Sequence, residues 1–193
     1  MMASTVAEVV AAGAQDNAST SGTVVATYAR GFLISDGTGY ILTYLGSDSG
    51  LAIGDVVTVS GTTSMYGGLL QFASGSTFEK TGTAEVTQPE PEVLDGAALD
   101  AYLDAPSIKY VQYTGTLNIS GYYYNVNVDG ASTAVGSIQY PAEGLVDATL
   151  HGKKIVVKNA KGEDIYHLST FERSNQGETF NHVPIVREGD KVK

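Results

Sequence analysis

Tyrosine and asparagine recur at alternate positions in the stretch from Gly121 to Gly130, which reads GYYYNVNVDG. Alternate residues of an extended strand share one face, so Tyr123, Asn125 and Asn127 are predicted to point the same way. A tyrosine ring stacks on sugar faces or nucleobases, and an amide bonds to hydroxyls or base edges. With apolar residues on the opposite side, the pattern predicts an outward-facing binding surface.

A second stretch, YILTY, places Tyr40 and Tyr44 on one side of a predicted strand together with Leu42. We include both tyrosines among the candidate ligand-binding residues. The alternative for all of these tyrosines is a packing role in an ordinary strand, against a helix or against another part of the chain.

Residues suited to catalysis or metal binding do not cluster in the sequence. The three histidines, His151, His167 and His182, are far apart, and cysteine is absent. No nucleophile-elbow, phosphate-loop or dinucleotide-binding motif occurs. The Asp-Gly pairs, such as Asp36-Gly37, are typical of turns and lack the spaced carboxylates of a calcium loop. The sequence therefore predicts no enzyme activity, no metal site and no cofactor.

The charge balance makes a nucleic-acid partner improbable. The chain carries 21 acidic and 11 basic residues, for a net charge of −10. Binding to a polyphosphate depends on Lys and Arg contacts, and the first 92 residues contain only Arg30 and Lys80 as basic residues. A basic cluster exists only in the second half, at Lys153, Lys154, Lys158 and Lys161.

Two segments of the chain repeat the same order of motifs at an offset of about 90–98 residues. GFLISDG at Gly31 is followed by GLAIGDVVTVSG at Gly50, and GYYYNVNVDG is followed by GLVDATLHGKKIVVK at Gly144. A short helix precedes each copy, predicted over Ser4–Gly13 and over Asp95–Pro106. We therefore expect a domain at 1–88, a proline- and glutamate-rich linker at 89–93, and a second domain at 94–193.

Short strands separated by glycine turns are predicted throughout the first copy. Their expected limits are Ser19–Ala29, Gly31–Ser35, Tyr40–Leu45, Asp55–Thr62 and Leu69–Glu79. The second copy repeats the first four strands. The sequence therefore predicts an all-β chain with short helices.

Three motifs of the first copy resemble a known family. They are GFLISDGTGYILTY from Gly31, GDVVTVSG from Gly54 and YGGLLQF from Tyr66, and the preceding helix carries TVAEV from Thr5. Together they resemble the OB-fold domains of Bacteroidota surface and lipid-anchored proteins. The resemblance implies two tandem five-stranded OB-fold barrels without assigned catalytic residues. The atypical, more charged segment 159–193 departs from this pattern.

The start of the chain has no basic region of the kind that opens a signal peptide, and no stretch approaches the roughly 18 apolar residues of a membrane span. We expect a mature form of a protein at the cell surface, or in an extracellular or periplasmic space.

We hypothesise a non-enzymatic binding module that holds a glycan or a protein partner, with the second copy contacting the ligand and the first positioning it. One alternative is a structural or assembly protein of a surface complex or virion. Another is single-stranded nucleic-acid binding through the second domain. The oligomeric state stays open.

Overall fold

The computed structural model of the chain describes residues 4–28, 30–66, 69–87, 92–104, 108–121, 123–132, 136–138, 149, 151–157, 166–168, 173–175, 178–180 and 184–186. Strands account for 52% of the chain and the described helices are short, so the protein is all-β as predicted. The chain divides into two compact units. Unit 1 comprises Met1–Tyr66 and Leu70–Thr87, and unit 2 comprises Gly67–Leu69 and Gln88–Lys193.

One seven-stranded sheet forms unit 1. The helix α1 spans Val6–Ala12, and the strands are β1 Ala18–Tyr28, β2 Gly31–Ser35, β3 Tyr40–Tyr44, β4 Asp55–Gly61, β5 Thr63–Tyr66, β6 Leu69–Phe72 and β7 Thr77–Thr83. The strands follow the order β5-β6-β3-β2-β1-β4-β7. The pairs β3-β2, β2-β1, β1-β4 and β4-β7 are antiparallel, and the pair β3-β6 is parallel.

Alternating apolar side chains build the core of unit 1. In β4, Val57 and Val59 are fully buried while their neighbours are half-buried, which is the period of two expected for a strand with one core face. The same cluster includes Phe32, Ile34 and Ile41, and α1 adds Val6 and Val9 to it.

The predicted fifth strand, Leu69–Glu79, is wrong as a single element. It forms two strands, β6 and β7, separated by a turn in which the Ser76 amide donates to the Ala73 carbonyl at 3.1 Å and Gly75 has φ 95°. The structure also contains β5, which the sequence did not predict. Unit 1 is thus an open path of strands, and closure into a barrel stays a prediction.

Helix α1 begins at a reciprocal cap and rests on the turn between β2 and β3. The Thr5 hydroxyl accepts from the Glu8 amide, and the Glu8 carboxylate accepts from the Thr5 amide. Asp36 Oδ2 accepts from the Val6 amide at 2.9 Å, so the turn also satisfies a donor at the start of the helix. Although partial burial alone would raise the pKa of Asp36, hydrogen bonds from Thr38 and Val6 lower it below its ordinary value.

The elements of unit 2 are β8 Glu92–Val93, α2 Gly96–Asp104, β9 Lys109–Ser120, β10 Tyr123–Val128, β11 Gly136–Ile138, β12 Lys154–Val157, β13 Tyr166–Leu168, β14 Arg173–Asn175, β15 Glu178–Phe180 and β16 Pro184–Val186. Its main sheet has the order β11-β10-β9-β13-β16, and β12 and β8 also pair with β9. Strand β8 is parallel to β9 and is formed by two residues that we had placed in the linker; the rest of that linker lies outside the described residues.

The second unit repeats the register of the first. Gly22 of β1 pairs with Val57 of β4, and Gly115 of β9 pairs with Ile155 of β12. Where β4 begins, the Gly54 amide donates to the Val24 carbonyl at 2.9 Å. At the start of β12, the Gly152 amide donates to the Leu117 carbonyl at 2.7 Å. The order β3-β2-β1-β4 therefore recurs as β11-β10-β9-β12, as the sequence repeat predicts.

Candidate functional site

The strands β9 and β10 position the candidate residues of unit 2. Val126 and Val128 of β10 are buried in the core with Leu117 of β9. Because side chains alternate along a strand, Asn125 and Asn127 point to the opposite, outer face. Asn127 is exposed there and Asn125 is half-buried, and their role in binding stays a prediction.

Cross-strand pairing brings further polar side chains to the same face. Asn125 lies directly opposite Asn118, and Asn127 lies opposite Thr116. Directly opposed side chains are about 5 Å apart at Cβ, close enough to contact one ligand together. On β9 and β10 this outer face consists of amides and hydroxyls, which we name the amide face: Thr114, Thr116, Asn118, Ser120, Asn125 and Asn127. Lys154 of β12 lies beside it, directly opposite Thr116.

Asn125 has an unusual hydrogen-bonding state. Its side-chain oxygen Oδ1 is buried and accepts no hydrogen bond from any residue that the structure describes. An unpartnered buried acceptor costs on the order of 1–3 kcal/mol. Rotation of the side-chain amide about χ2, a soft torsion, can bring the oxygen outward to a donor on a ligand.

Tyr123 belongs to the same ladder, since its backbone pairs with that of Ser120. Its side chain lies outside the described residues, so its predicted stacking role stays a prediction. Tyr123, Asn125 and Asn127 are brought together on one strand, as expected.

Tyr40 and Tyr44 lie on β3 of unit 1, where both are half-buried on the face opposite the core. Between them, Leu42 pairs with Leu33 of β2, and Leu33 is fully buried although it lies outside the main core cluster. Ala26 of β1, which lies directly opposite Leu33, is also fully buried. The corresponding face of unit 1 is therefore apolar and covered at its centre, unlike the amide face.

Sequence reasoning missed the contribution of β9 to this face. The stretch YTGTLNIS alternates polar residues at Thr114, Thr116, Asn118 and Ser120 with buried ones, so the signal was present. The register between β9 and β10 cannot be read from either strand alone, so the pattern of β10 does not show which residues of β9 lie beside it.

The ionisable groups near the amide face have partners of their own. Lys154 Nζ lies 2.8 Å from Asp129 Oδ2, and both side chains are well exposed. His151 Nδ1 accepts from the Ile119 amide at 2.9 Å, which leaves it in a structural role. Among the residues that the structure describes, no three His, Asp or Glu side chains converge as metal ligands. In the same described part, no helix has the length and apolar character needed to cross a membrane.

Asp-Gly turns use their carboxylates locally. Asp48 Oδ1 accepts from the Gly50 amide at 2.7 Å, and Asp36 Oδ1 accepts from the Thr38 amide at 2.9 Å. These bonds are the ones that the turn interpretation predicts.

Comparisons with known proteins give only partial similarities. No family model matches the chain. A stretch of 49 residues, 25% of the chain, is 51% identical to the DNA-directed RNA polymerase subunit beta of Spiroplasma citri. A stretch of 52 residues, 26% of the chain, is 46% identical to the same subunit of Caldicellulosiruptor bescii. The matched stretch covers 4% of the length of each of these curated relatives.

A solved structure described as "Structural mimicry for functional antagonism" has a TM-score of 0.41 to this chain. The sequence identity is 10%, over 88% of this chain and 90% of that chain. A score this low does not assign a fold.

Proposed function

We propose that this chain is a non-enzymatic binding module that holds an extended, uncharged glycan on the amide face of unit 2. The observation that carries the proposal is the composition of that face, with amides and hydroxyls in register across β9 and β10. Such side chains donate to and accept from sugar hydroxyls. The buried oxygen of Asn125 adds an acceptor whose pairing with a ligand would offset its present cost.

An OB-fold barrel is the architecture that we propose for unit 1. Strands β6 and β7 are separated by four residues, 73–76, and pair with β3 and β4 respectively. If they are taken as one interrupted strand, the pairing order returns to its starting point, which supports a closed five-stranded barrel. Small barrels of this class bind oligosaccharides and oligonucleotides across their second and third strands. The equivalents of those strands in unit 2 are β10 and β11, of which β10 carries Asn125 and Asn127 of the amide face.

Charge favours a neutral ligand over a phosphate polymer. The chain has a net charge of −10, and Lys154, which lies directly opposite Thr116 of the amide face, is paired with Asp129. An acidic surface does not repel a neutral glycan. Nucleic-acid binding, in contrast, requires several unpaired Lys or Arg side chains that contact the phosphates. Residence at a bacterial cell surface is part of the proposal and is supported by the resemblance to Bacteroidota surface proteins.

A protein partner is the second possible occupant of the amide face, because amide-rich surfaces also bind peptide backbone groups. The glycan has priority because the described part of the face offers no large apolar anchor of the kind that dominates protein interfaces.

A glycan array tests this proposal with the full wild-type chain and three variants of it. Asn125→Ala and Asn127→Ala are expected to weaken binding to neutral glycans at least about tenfold, the loss of one or two hydrogen bonds. Asn17→Ala, an exposed asparagine of unit 1, serves as the matched control and should bind like the wild type. Binding that is unaffected by both unit 2 substitutions, or that is seen only with anionic polymers, would refute the proposal.

A further inference from the structure

The four strands that recur in both units, β3-β2-β1-β4 and β11-β10-β9-β12, differ in what pairs with their outer strands. In unit 1, β3 is followed by β6 and β4 is followed by β7, so both outer strands have a second neighbour. In unit 2, β11 pairs with β10 and β12 pairs with β9, and no other described strand pairs with either of them. The strand that would take the place of β7 is therefore missing from the described part of unit 2.

The backbone of β12 shows which groups face this edge. The Leu117 amide of β9 donates to the Lys153 carbonyl at 3.0 Å. Hydrogen-bonding groups alternate in direction along a strand, so the amides of Lys154 and Val156 point away from β9. Their equivalents in unit 1, Val56 and Thr58, lie opposite β7. An edge with outward-pointing amides and carbonyls is a template for another strand.

Charge indicates what kind of strand fits there. Because Val56 and Lys154 are equivalent in register, Asp55 of unit 1 corresponds to Lys153 of unit 2. Asp55 Oδ1 lies 2.9 Å from Lys80 Nζ on β7. In unit 2 the equivalent position carries the opposite charge, because Lys153 stands where unit 1 has Asp55, and the Lys153 side chain is exposed. The complementary strand should therefore carry an acidic residue where β7 carries Lys80.

We propose that the edge of β12 accepts an antiparallel strand from a partner protein, with an acidic side chain placed against Lys153. This strand would occupy the position that β7 holds in unit 1. It is a second interaction surface, formed by the backbone edge of β12 and not by the side chains of the neighbouring amide face. A second copy of this chain fits poorly. Its own β12 reads KIVV, so the same edge of a second copy would bring no acidic side chain against Lys153.

Hydrogen exchange of the full chain tests whether the edge is open. The amides of Lys154 and Val156 are expected to exchange on the order of 100-fold faster than those of Val56 and Thr58, because only the latter pair with a neighbouring strand. Equal protection in a dilute sample would mean that the chain itself fills the edge, and would overturn the proposal. Protection that grows with protein concentration would point to a second copy and would overturn it equally.

Synthetic peptides then test the identity of the partner strand. The probe is a peptide of residues 69–83, which form β6, β7 and their turn, carrying Lys80→Glu; the matched control is the same peptide with Lys80 retained. The Lys80→Glu peptide is expected to slow exchange at Lys154 and Val156, and to bind about threefold more tightly than the control, as one opposite-charge pair between strands allows.

Reversing the charge at position 153 of the protein provides the reciprocal test. In the Lys153→Asp variant, the preference should reverse in favour of the peptide that retains Lys80. An unchanged preference, or no protection at Lys154 and Val156 by either peptide at millimolar concentration, would contradict the proposed partner.

Discussion

Gly22 and Gly115 occupy the same position in the two units. Gly22 lies in β1 and Gly115 in β9. Each is directly opposite the residue that follows a second glycine by three positions, Val57 after Gly54 and Ile155 after Gly152. A Cβ on Gly22 would come within 2.9 Å of the Ser35 carbonyl oxygen, and one on Gly115 would collide with the Asn127 carbonyl. The close approach of two strands at this point is therefore a shared feature of the duplicated fold.

Substitution of Gly22 by alanine should destabilise unit 1 by about 1–3 kcal/mol, because the contact is with backbone that cannot rotate away. Gly82→Ala is the matched control. Gly82 is also a strand glycine, but nothing lies within 4 Å of its added Cβ. Urea unfolding with residue-level hydrogen exchange measures both. Equal effects of the two substitutions would show that the close approach does not constrain the strand.

Tyr113→Phe should stabilise unit 2 by about 1 kcal/mol. The Tyr113 side chain is 1% exposed, and its hydroxyl has no hydrogen-bond partner among the described residues. Burial raises the pKa of Tyr113 far above its ordinary value, in line with an isolated phenol. Removal of the oxygen eliminates an unpaired polar group and keeps the ring. A loss of stability in urea unfolding would mean that the hydroxyl has a partner after all.

Acid should weaken unit 1 through Asp36. Its folded pKa lies below the value of about 3.8 of an unfolded chain. The carboxylate therefore contributes stability that is complete above that pH and is lost as the pH falls through the folded pKa. Asp36→Asn removes this titration. The melting temperature of the variant should therefore fall less steeply than that of the wild type between about pH 5 and pH 2.5, where the carboxylate takes up its proton. Parallel curves for the two proteins would rule out this role.

Much of the fold could be predicted because local patterns and tertiary structure agree in unit 1. The turns at Asp36-Gly37 and Asp48 separate apolar runs with a period of two, and β2 and β3 have the predicted limits to within one residue. The break at Ala73–Ser76 was missed because the residues on both sides continue a strand-like pattern. Strand β5 was missed because its four residues include the exposed Met65 and Tyr66, which give no alternation.

The candidate site could be predicted only where one strand determines it. A period of two is sufficient to turn Asn125 and Asn127 outward. The position of Asn118 opposite Asn125 depends on the register between strands, and the missing partner of Asn125 Oδ1 depends on every neighbouring group. Neither is encoded in a local pattern.

NMR chemical-shift mapping on the full chain tests most directly whether the amide face of unit 2 binds a glycan. Isotope-labelled protein would be titrated with the neutral oligosaccharide that binds most strongly in the array, with Asn125→Ala as the comparison. We predict shifts concentrated at Asn118, Asn125 and Asn127, lost in the variant, with Tyr40 and Tyr44 unaffected. Shifts centred on β2 and β3 of unit 1, or the same shifts in the variant, would contradict the account.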